Sequence, residues 1–211
     1  MTLETKIESF ITLTSLSKEY DGKTVFSDAS FKFPKGQITA LMGPSGAGKT
    51  TIMRILLGLE DYQGNLIGYK GNVSLNNSQV DVSVVFQDNR LLPWITIRKN
   101  VELVLKEKKN QSEVAILAQE ALDLVELGDA ADLMPEELSG GMQRRVALAR
   151  AIAFDGDVVL LDEPFTGLDE ELKHRLASVV TSRFKERGKT VILITHDSEE
   201  AAKYADHIIK L

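Results

Sequence analysis

One short glycine-rich segment, GPSGAGKT at Gly43–Thr50, constrains the fold more strongly than any other part of the chain. It follows Ile38–Met42, an apolar run that we predict to be a buried strand, and it precedes Thr51–Leu59, which we predict to be a helix. A strand, a glycine loop and a helix in this order form the setting of a phosphate-binding loop. Small residues let backbone N–H groups face a phosphate, and the N-terminus of the helix adds partial positive charge. The segment therefore predicts a nucleoside triphosphate site.

Further apolar runs predict the sheet to which this loop belongs. Val82–Phe86, Val158–Leu161 and Val191–Ile194 are apolar on both faces, which favours a parallel sheet covered by helices on both sides. A segment of helical character that stops at Gly188 separates the last two runs. We therefore predict a strand–helix–strand unit there.

The regions before and between these strands have a different pattern. Ile11–Leu16, Val25–Phe33 and Asn65–Ser74 alternate in polarity and are punctuated by turn residues such as Gly71-Asn72, which predicts antiparallel strands. The middle of the chain favours helices, one of which we expect Ser112 to cap.

We therefore predict an α/β fold: a P-loop NTPase (RecA-like) core with a parallel sheet, an N-terminal antiparallel β subdomain and an inserted helical subdomain. All three parts are expected to form one domain over residues 1–211, with the helical insertion at about residues 88–153. No apolar run approaches the roughly 18 residues that a membrane span requires. The absence of cysteine excludes disulfides and cysteine-ligated metals.

Hydroxyl and charged side chains near the loop predict phosphate chemistry. We expect Lys49 to reach the β- and γ-phosphates and Thr50 to place its hydroxyl on Mg²⁺. An apolar run ends in Asp162, whose carboxylate we expect beside the magnesium ion. Glu163, one residue further on, could hold and polarise a water in line with the γ-phosphate. An acidic turn facing solvent is the alternative interpretation of these two carboxylates.

Two more polar residues follow core strands. His196 comes after the last apolar run and could donate to the γ-phosphate while holding the attacking water. Gln87 closes Val82–Phe86 and could bind Mg²⁺ through its amide oxygen. Strand ends in such a sheet point toward a shared cleft, so both residues are expected near the loop. Taken alone, either would be interpreted as an ordinary surface side chain.

These motifs, in this order, resemble the nucleotide-binding subunit of an ABC transporter over nearly the whole chain. GPSGAGKT matches the Walker A motif, and VVLLDEP at Val158–Pro164 matches Walker B with its catalytic glutamate. LSGGMQRR at Leu138–Arg145 matches the ABC signature, which is the most specific of these motifs. Gln87 matches the Q-loop, FTGLD at Phe165–Asp169 resembles the D-loop, and His196 resembles the switch histidine.

The resemblance implies that the chain binds ATP with Mg²⁺. Tyr20 matches the aromatic residue that stacks on adenine in this family, with a plain strand-surface tyrosine as the alternative. The residues implied to bind the nucleotide within one chain are Tyr20, Gly43, Pro44, Ser45, Gly46, Ala47, Gly48, Lys49, Thr50 and Thr51. The residues implied in catalysis are Glu163, His196, Lys49 and Gln87, and those implied in metal binding are Thr50, Gln87 and Asp162.

The resemblance also implies a second copy of the chain. In a head-to-tail dimer, Ser139 as a helix cap and the N–H groups of Gly140 and Gly141 would complete the γ-phosphate site of the partner. Asp169 would cross the interface and link the two sites. Each glycine-rich segment would then supply half of a phosphate cage.

A membrane permease is the further partner that the resemblance implies, so the chain would work as a peripheral subunit on the cytoplasmic face of the cell membrane. Asn89–Trp94 resembles the importers of nitrate, sulfonate, taurine and pyrimidine precursors, which would add an extracytoplasmic solute-binding protein as an indirect partner. Leu91, Leu92 and Trp94 are candidate permease contacts, or else core residues. The net charge of −6 argues against a general nucleic-acid-binding surface.

The prediction from the sequence is thus an ATP-binding and ATP-hydrolysing subunit that energises a separate permease, with solute import favoured. An exporter subunit and a soluble ABC-type ATPase with a non-transport partner are the alternatives. The DNA-repair type would need a long coiled coil between Lys49 and Ser139, where no heptad array occurs. The ribosome-associated type usually carries two nucleotide domains in one chain.

Overall fold

Two sheets and a set of helices make up the structure, a computed structural model that describes residues 9–67, 80–107 and 109–211. The strands are β1 Ser9–Tyr20, β2 Lys23–Pro34, β3 Ile38–Met42, β4 Gln63–Ile67, β5 Val82–Val85, β6 Val158–Asp162, β7 Thr190–Ile194 and β8 His207–Lys210. The α-helices are α1 Lys49–Leu56, α2 Ile97–Glu102, α3 Gln111–Leu124, α4 Gly140–Phe154, α5 Glu170–Glu186 and α6 Ser198–Tyr204. Short 3₁₀ turns occupy Leu103–Leu105, Gly128–Ala130 and Pro135–Glu137.

The central sheet is parallel and has the strand order β5-β6-β7-β3-β8. Every residue of β6 and of β7 is buried, which agrees with runs that are apolar on both faces. The helix α5 connects these two strands and ends just before Gly188, whose φ of 64° places it in the left-handed region. The predicted parallel core is therefore confirmed.

The second sheet is antiparallel, in the order β2-β1-β4. Its apolar face packs on α1, and α1 packs in turn on the central sheet, so that one helix is enclosed between two sheets. The antiparallel strands that we predicted are present, although β4 begins at Gln63 rather than Asn65. The rest of the predicted Asn65–Ser74 strand after Ile67, with its Gly71-Asn72 turn, lies outside the described residues.

The helices α2, α3 and α4 pack together, and their apolar side chains share one hydrophobic cluster with the opposite face of the central sheet. Within α3 the buried residues are Val114, Ala118, Ala121 and Leu122, at helical spacing. In the described ranges, no helix combines the length and the apolar character that a membrane crossing would need.

Two local predictions about helix ends were wrong. Ser112 lies inside α3, and Asn110 caps the helix instead, because its side chain accepts from the Glu113 N–H while the Glu113 carboxylate accepts from the Asn110 N–H. The predicted helix Thr51–Leu59 begins two residues earlier, at Lys49, and ends at Leu56. Leu59 therefore lies beyond the helix and is 56% exposed.

Candidate nucleotide site

The carboxyl edge of the central sheet collects the polar residues that the sequence singled out. Gly43, Gln87, Glu163 and His196 follow four neighbouring strands of this sheet. Gly43, Gln87 and His196 each lie two residues beyond a position paired with the adjacent strand, in the pairs Leu41↔Ile194 and Val85↔Leu161. Glu163 lies one residue beyond the Asp162↔Ile194 pair. The parallel register thus brings distant parts of the sequence to one edge.

The loop between β3 and α1 has a shape that requires glycine. Gly46 and Gly48 have φ values of 82° and 97°, in the left-handed region that other residues rarely adopt. A Cβ on Gly48 would also lie 2.3 Å from Cζ of Phe26 and 2.7 Å from Cγ1 of Val25. Strand β2 therefore presses directly against the loop and leaves no room for a side chain.

The N-terminus of α1 keeps its backbone donors free of side-chain caps. Gly48 is the N-cap residue, and no side-chain hydrogen bond closes this end of the helix. The first N–H groups of a helix have no intrahelical acceptor, so they favour an anion. Pro44, Ser45 and Gly46 are exposed, whereas Ala47 and Thr51 are half-buried. The loop thus presents an accessible set of amide donors.

Lys49 supplies a positive charge at this loop. Its Nζ donates to the carbonyl oxygens of Gly43 and Pro44, at 2.8 and 2.9 Å, so the ammonium lies across the loop. These two bonds place the cation next to the amide donors of the loop, which is the position that a phosphate-binding lysine needs.

A hydroxyl and a carboxylate meet beside the loop. The Thr50 hydroxyl donates to Oδ2 of Asp162 at 3.1 Å, across the gap between α1 and β6. Burial raises the pKa of Asp162, while the hydrogen bond from Thr50 opposes that rise. Asp162 is only 3% exposed, so its charge is held in a weakly solvated position where a cation would be favourable.

These donors fit a magnesium ion that is bound together with a phosphate. Mg²⁺ typically takes one or two protein carboxylates and completes its shell with waters and substrate phosphates. The part of the chain that the structure describes contains no cluster of three or more His, Asp or Glu side chains that could hold a metal unaided. Thr50 and Asp162 match the sparse set that such a shared site uses, and Gln87 is exposed at the same edge.

Glu163 and His196 face each other across the ends of β6 and β7. The imidazole Nδ1 lies 3.2 Å from Oε1 of Glu163. The Glu163 side chain is 23% exposed and that of His196 is 66% exposed, so both are open to solvent on one side. The imidazole therefore contacts the carboxylate directly, and the solvent-facing side of the carboxylate can hold a water molecule, as hydrolysis requires.

A second layer of contacts fixes the backbone beneath His196, and the sequence prediction missed it. Asp197 caps α6, with its side chain accepting from the N–H groups of Glu199 and Glu200, and it also binds the ammonium of Lys173. The Lys173 hydrogen bond, with the backbone bonds behind it, lowers the pKa of Asp197 to about 2. Glu200 is buried and accepts from Thr195, and burial raises its pKa. An aspartate with glutamates two and three residues later is a helix-start pattern that could have revealed this layer.

The segment Leu138–Gly141 occupies the start of α4 and faces outward. Ser139 caps the helix as predicted, with its hydroxyl accepting from the Met142 N–H at 3.2 Å. Ser139 and Gly140 are exposed, and no atom lies within 4 Å of the Cβ position of Gly140. A Cβ on Gly141 would be 3.2 Å from the carbonyl oxygen of Gly167, so this glycine packs against the Phe165–Asp169 segment.

Asp169 and Tyr20 have local partners that the sequence did not reveal. The Asp169 side chain caps α5 by accepting from the Leu172 N–H at 3.0 Å. Tyr20 ends β1, is 39% exposed, and has the Lys18 ammonium 4.7 Å from its ring centroid. Hydrogen bonds from Lys18 and then from Tyr20 help to lower the pKa of Glu60. The ring is thus held from one side and partly open to solvent.

The Asn89–Trp94 segment leaves the site along the outside of the helices. Buried Asn100 holds it, accepting from the Leu92 N–H at 2.8 Å and donating to the carbonyl oxygens of Leu92 and Ile95. Leu91 packs against the hydrophobic cluster, Leu92 is half-buried and Trp94 is 71% exposed. Trp94 is therefore a surface residue, while Leu91 contributes to the core.

Comparison with protein families and characterised sequences identifies relatives of this chain. A family model described as "ABC transporter" matches residues 26–166. The aliphatic sulfonates import ATP-binding protein of Paracoccus denitrificans is 37% identical over 211 residues, covering 100% of this chain and 83% of that protein. The Fe(3+) ions import ATP-binding protein of Brucella abortus is 39% identical over 204 residues, covering 94% of this chain and 57% of that protein.

Solved structures show the same architecture. A dimeric ATP-binding cassette in a post-hydrolysis state, bound to ADP and Pi, superposes with a TM-score of 0.85 at 31% sequence identity. The match covers 95% of this chain and 94% of that one. The two-sheet core with its inserted helices is therefore an arrangement already known from experiment.

Proposed function

This chain belongs to the ABC transporter family, and from that premise we propose that it binds ATP, hydrolyses it and thereby energises a separate membrane permease for solute import. The observation that carries this function is the grouping of the phosphate loop, the Thr50–Asp162 pair and the Glu163–His196 pair at one edge of the sheet. A nucleotide-binding module without hydrolysis would have no need of the second pair.

The residues divide the work of hydrolysis in a simple way. The loop amides and Lys49 hold the phosphates, while Tyr20 offers a ring for the base. Glu163 holds and polarises the attacking water, and His196, with one ring nitrogen near Glu163, offers the other to the γ-phosphate. Phosphoryl transfer asks the protein mainly for positioning and charge stabilisation, which this arrangement can supply.

Magnesium fits the donors described above. Thr50, Asp162 and Gln87 would hold it, and when bound it neutralises the charge that develops on the phosphate oxygens. Asp162 itself stays buried and accepts from Thr50, which fixes the carboxylate before any ligand arrives.

A second copy of the chain completes the proposed site. The exposed start of α4, with Ser139, Gly140 and Gly141, would donate to the γ-phosphate held by the partner. Asp169, at the neighbouring exposed turn, would lie at the same interface. The similar ATP-binding cassettes of known structure are dimeric, which supports a self-dimer of this chain.

The permease would dock beside the Q-loop, on the cytoplasmic face of the membrane. An open groove of about 460 Å³ lies there, lined by residues that include Gln87, Asn89, Arg90, Pro93, Glu136 and Gln143. Exposed Trp94 follows in sequence and offers an apolar contact. A solute-binding protein would act through the permease, and we propose no contact with nucleic acid.

Names of relatives support import but point to several cargoes. Proteins named for sulfonates, for spermidine and putrescine, and for Fe(3+) are 36 to 39% identical to this chain. We therefore place the choice of cargo in the permease and its solute-binding protein. We also propose that residues 1–211 act as one domain, in which the helices of about residues 88–153 form the subdomain that meets the permease.

Replacing one carboxylate tests the function directly. Glu163→Gln should lower ATP hydrolysis by ~10²- to 10³-fold, because a neutral amide cannot polarise the water, while ATP still binds. The ATP-loaded variant should accumulate as a dimer in size-exclusion chromatography. The matched control is Glu186→Gln, the same change at an exposed position near the end of α5. Hydrolysis by Glu163→Gln within twofold of wild type would contradict the proposal.

A further inference from the structure

Arg144, in the second turn of α4, carries a buried guanidinium that the proposed mechanism does not use. The residue is only 5% exposed, although arginine is almost never buried without a specific role. Among the described residues, no carboxylate lies within ion-pair distance of it. The charge must therefore be compensated in another way.

Backbone carbonyl groups supply that compensation. Nη1 donates to the carbonyl oxygens of Phe86 and Gln87, at 2.5 and 2.8 Å. Nη2 donates to the carbonyl oxygens of Asp162 and Glu163, the latter at 2.5 Å. One planar side chain thus joins the ends of two adjacent parallel strands, β5 and β6.

Three of these four carbonyls belong to residues with a proposed role in hydrolysis. Gln87 and Asp162 are proposed metal ligands, and Glu163 is the proposed water-polarising group. Burial lowers the pKa of Arg144, and the nearby carboxylates of Asp162 and Glu163 oppose that effect. The positive charge therefore sits directly behind two negative groups of the site.

The backbone of Glu163 needs this support. Its φ of 49° lies in the left-handed region, which costs a non-glycine residue roughly 1–2 kcal/mol. Three hydrogen bonds hold it there: its N–H donates to the Ile194 carbonyl at 3.0 Å, and its own carbonyl accepts from the Thr166 N–H at 3.3 Å and from Arg144 at 2.5 Å. The bond from Arg144 is the shortest of the three, so its loss would loosen the backbone that carries the carboxylate.

The position of Arg144 on α4 adds a mechanical connection. Ser139 caps the start of the same helix, and Arg144 follows five residues later, about 7.5 Å along the axis. A helix is rigid over so short a distance, so a displacement at Ser139 must move the guanidinium and the carbonyls bound to it.

We propose that Arg144 is a positioning residue that ties the exposed start of α4 to Gln87 and Glu163 of the same chain, so that engagement of Ser139 aligns the attacking water. The inference rests on the proposed roles of Gln87 and Glu163 in hydrolysis. Arginine suits this role because its planar fork can serve several acceptors at once, which the single ammonium of lysine cannot do in the same geometry.

Two substitutions test the inference with purified, dimer-competent protein. Arg144→Met should lower kcat for ATP by at least about tenfold while KM for ATP stays within about twofold, because the loop that binds ATP is untouched. Arg144→Lys keeps the charge and should retain part of the lost kcat, since one ammonium can reach fewer carbonyls. Rates are measured well below the melting temperature of each variant, which separates alignment from stability.

Lys189→Met is the matched control. The Lys189 side chain is 11% exposed, and its Nζ donates to the Asp155 carbonyl at 2.9 Å, at the opposite end of β7 from the site. This variant also removes a largely buried cation, so it should lose stability but keep kcat and KM within about twofold.

The outcomes separate the inference from the proposed function. Wild-type kcat in both Arg144 variants, or a change in KM alone, would overturn the inference, and if Arg144→Met does not fold then Arg144→Lys decides. Glu163→Gln is assayed in parallel. An active Glu163→Gln would remove the proposed function and this inference together, whereas an inactive Glu163→Gln with active Arg144 variants would remove the inference alone.

Discussion

The two glycine-rich segments of this molecule, Gly43–Thr50 and Leu138–Gly141, have opposite surroundings. The first packs on one side against its own chain, with Gly48 against Phe26 and the Thr50 hydroxyl on Asp162, and is exposed on the other side at Pro44, Ser45 and Gly46. The second is exposed at the start of α4, where Ser139 caps the helix and nothing lies within 4 Å of the Gly140 Cβ position.

This difference indicates how much of each half of the proposed phosphate site one chain can form by itself. The amides of the first segment, which we propose bind phosphate, are held in place by strand β2 and by the central sheet, so this half of the proposed site is formed within one chain. The second segment presents helix N-terminal donors to solvent, where we propose that they meet a phosphate bound by the partner chain. The comparison therefore predicts that equal substitutions in the two segments have unequal effects.

The largest effect is expected for Gly48→Ala. The added methyl group would lie 2.3 Å from the Phe26 ring, and the alanine backbone would have to adopt a φ of 97°. Together these effects should lower the free energy of unfolding by at least ~2 kcal/mol. Distortion of the loop should also abolish ATP binding. Urea unfolding and binding of a fluorescent ATP analogue would measure both.

Gly140→Ala makes the same change in the second segment. Since its Cβ meets no atom and alanine favours helices, stability should stay equal or rise by up to ~1 kcal/mol, and ATP should bind a single chain as before. Only hydrolysis, which requires the dimer, should fall. If Gly48→Ala and Gly140→Ala lost stability and ATP binding to a similar extent, the predicted difference between the two segments would be contradicted.

An intermediate effect is expected for Ser139→Ala. Loss of the cap should cost ~1 kcal/mol of stability, and loss of a donor to the partner's phosphate should lower hydrolysis about tenfold. Asn110→Ala removes an equivalent cap from α3 and is the matched control. If both variants hydrolyse ATP at the same rate, Ser139 acts only as a cap.

A pH-dependent effect on stability is expected outside both glycine-rich segments, at the Lys173–Asp197 pair beneath His196. The pKa of Asp197 is lowered from 3.8 to about 2, so its ion pair stabilises the fold above about pH 4 and loses this effect as the pH falls toward 2. After allowance for solvent screening, Lys173→Met should destabilise by ~1 kcal/mol at pH 7. The difference in free energy of unfolding between wild type and Lys173→Met, measured with urea, should become smaller between pH 4 and pH 2. A difference that does not change with pH would contradict the role of this pair.

The strand positions, and the placement of the candidate site residues at one edge of the sheet, could be predicted because each depends on local sequence. Runs that are apolar on both faces specify buried parallel strands, and parallel strands bring their carboxyl ends together, which placed Gln87, Glu163 and His196 at one edge. The glycine loop could be predicted in the same way, because the φ values of Gly46 and Gly48 are ones that residues other than glycine rarely adopt.

Long-range polar contacts could not be predicted. Arginine on a helix usually faces solvent, so nothing in the sequence around Arg144 indicates that four carbonyls at the ends of the adjacent strands β5 and β6 surround it. The cap of α3 was assigned to Ser112 instead of Asn110 because both residues can cap, and only the reciprocal bond with Glu113 decides between them.

Mixing two inactive variants tests most directly the claim that one ATP site is built from two chains. Lys49→Ala removes the phosphate lysine from one half-site, and Ser139→Arg blocks the other, so each variant alone should be inactive. A mixed dimer contains one intact site, formed by Lys49 of one chain and Ser139 of the other. An equimolar mixture should therefore recover ATPase activity, up to about a quarter of wild type, since half of the dimers are mixed and each has one of two sites intact. If mixed dimers form and the mixture stays inactive, or if Ser139→Arg alone is fully active, the two-chain site is contradicted.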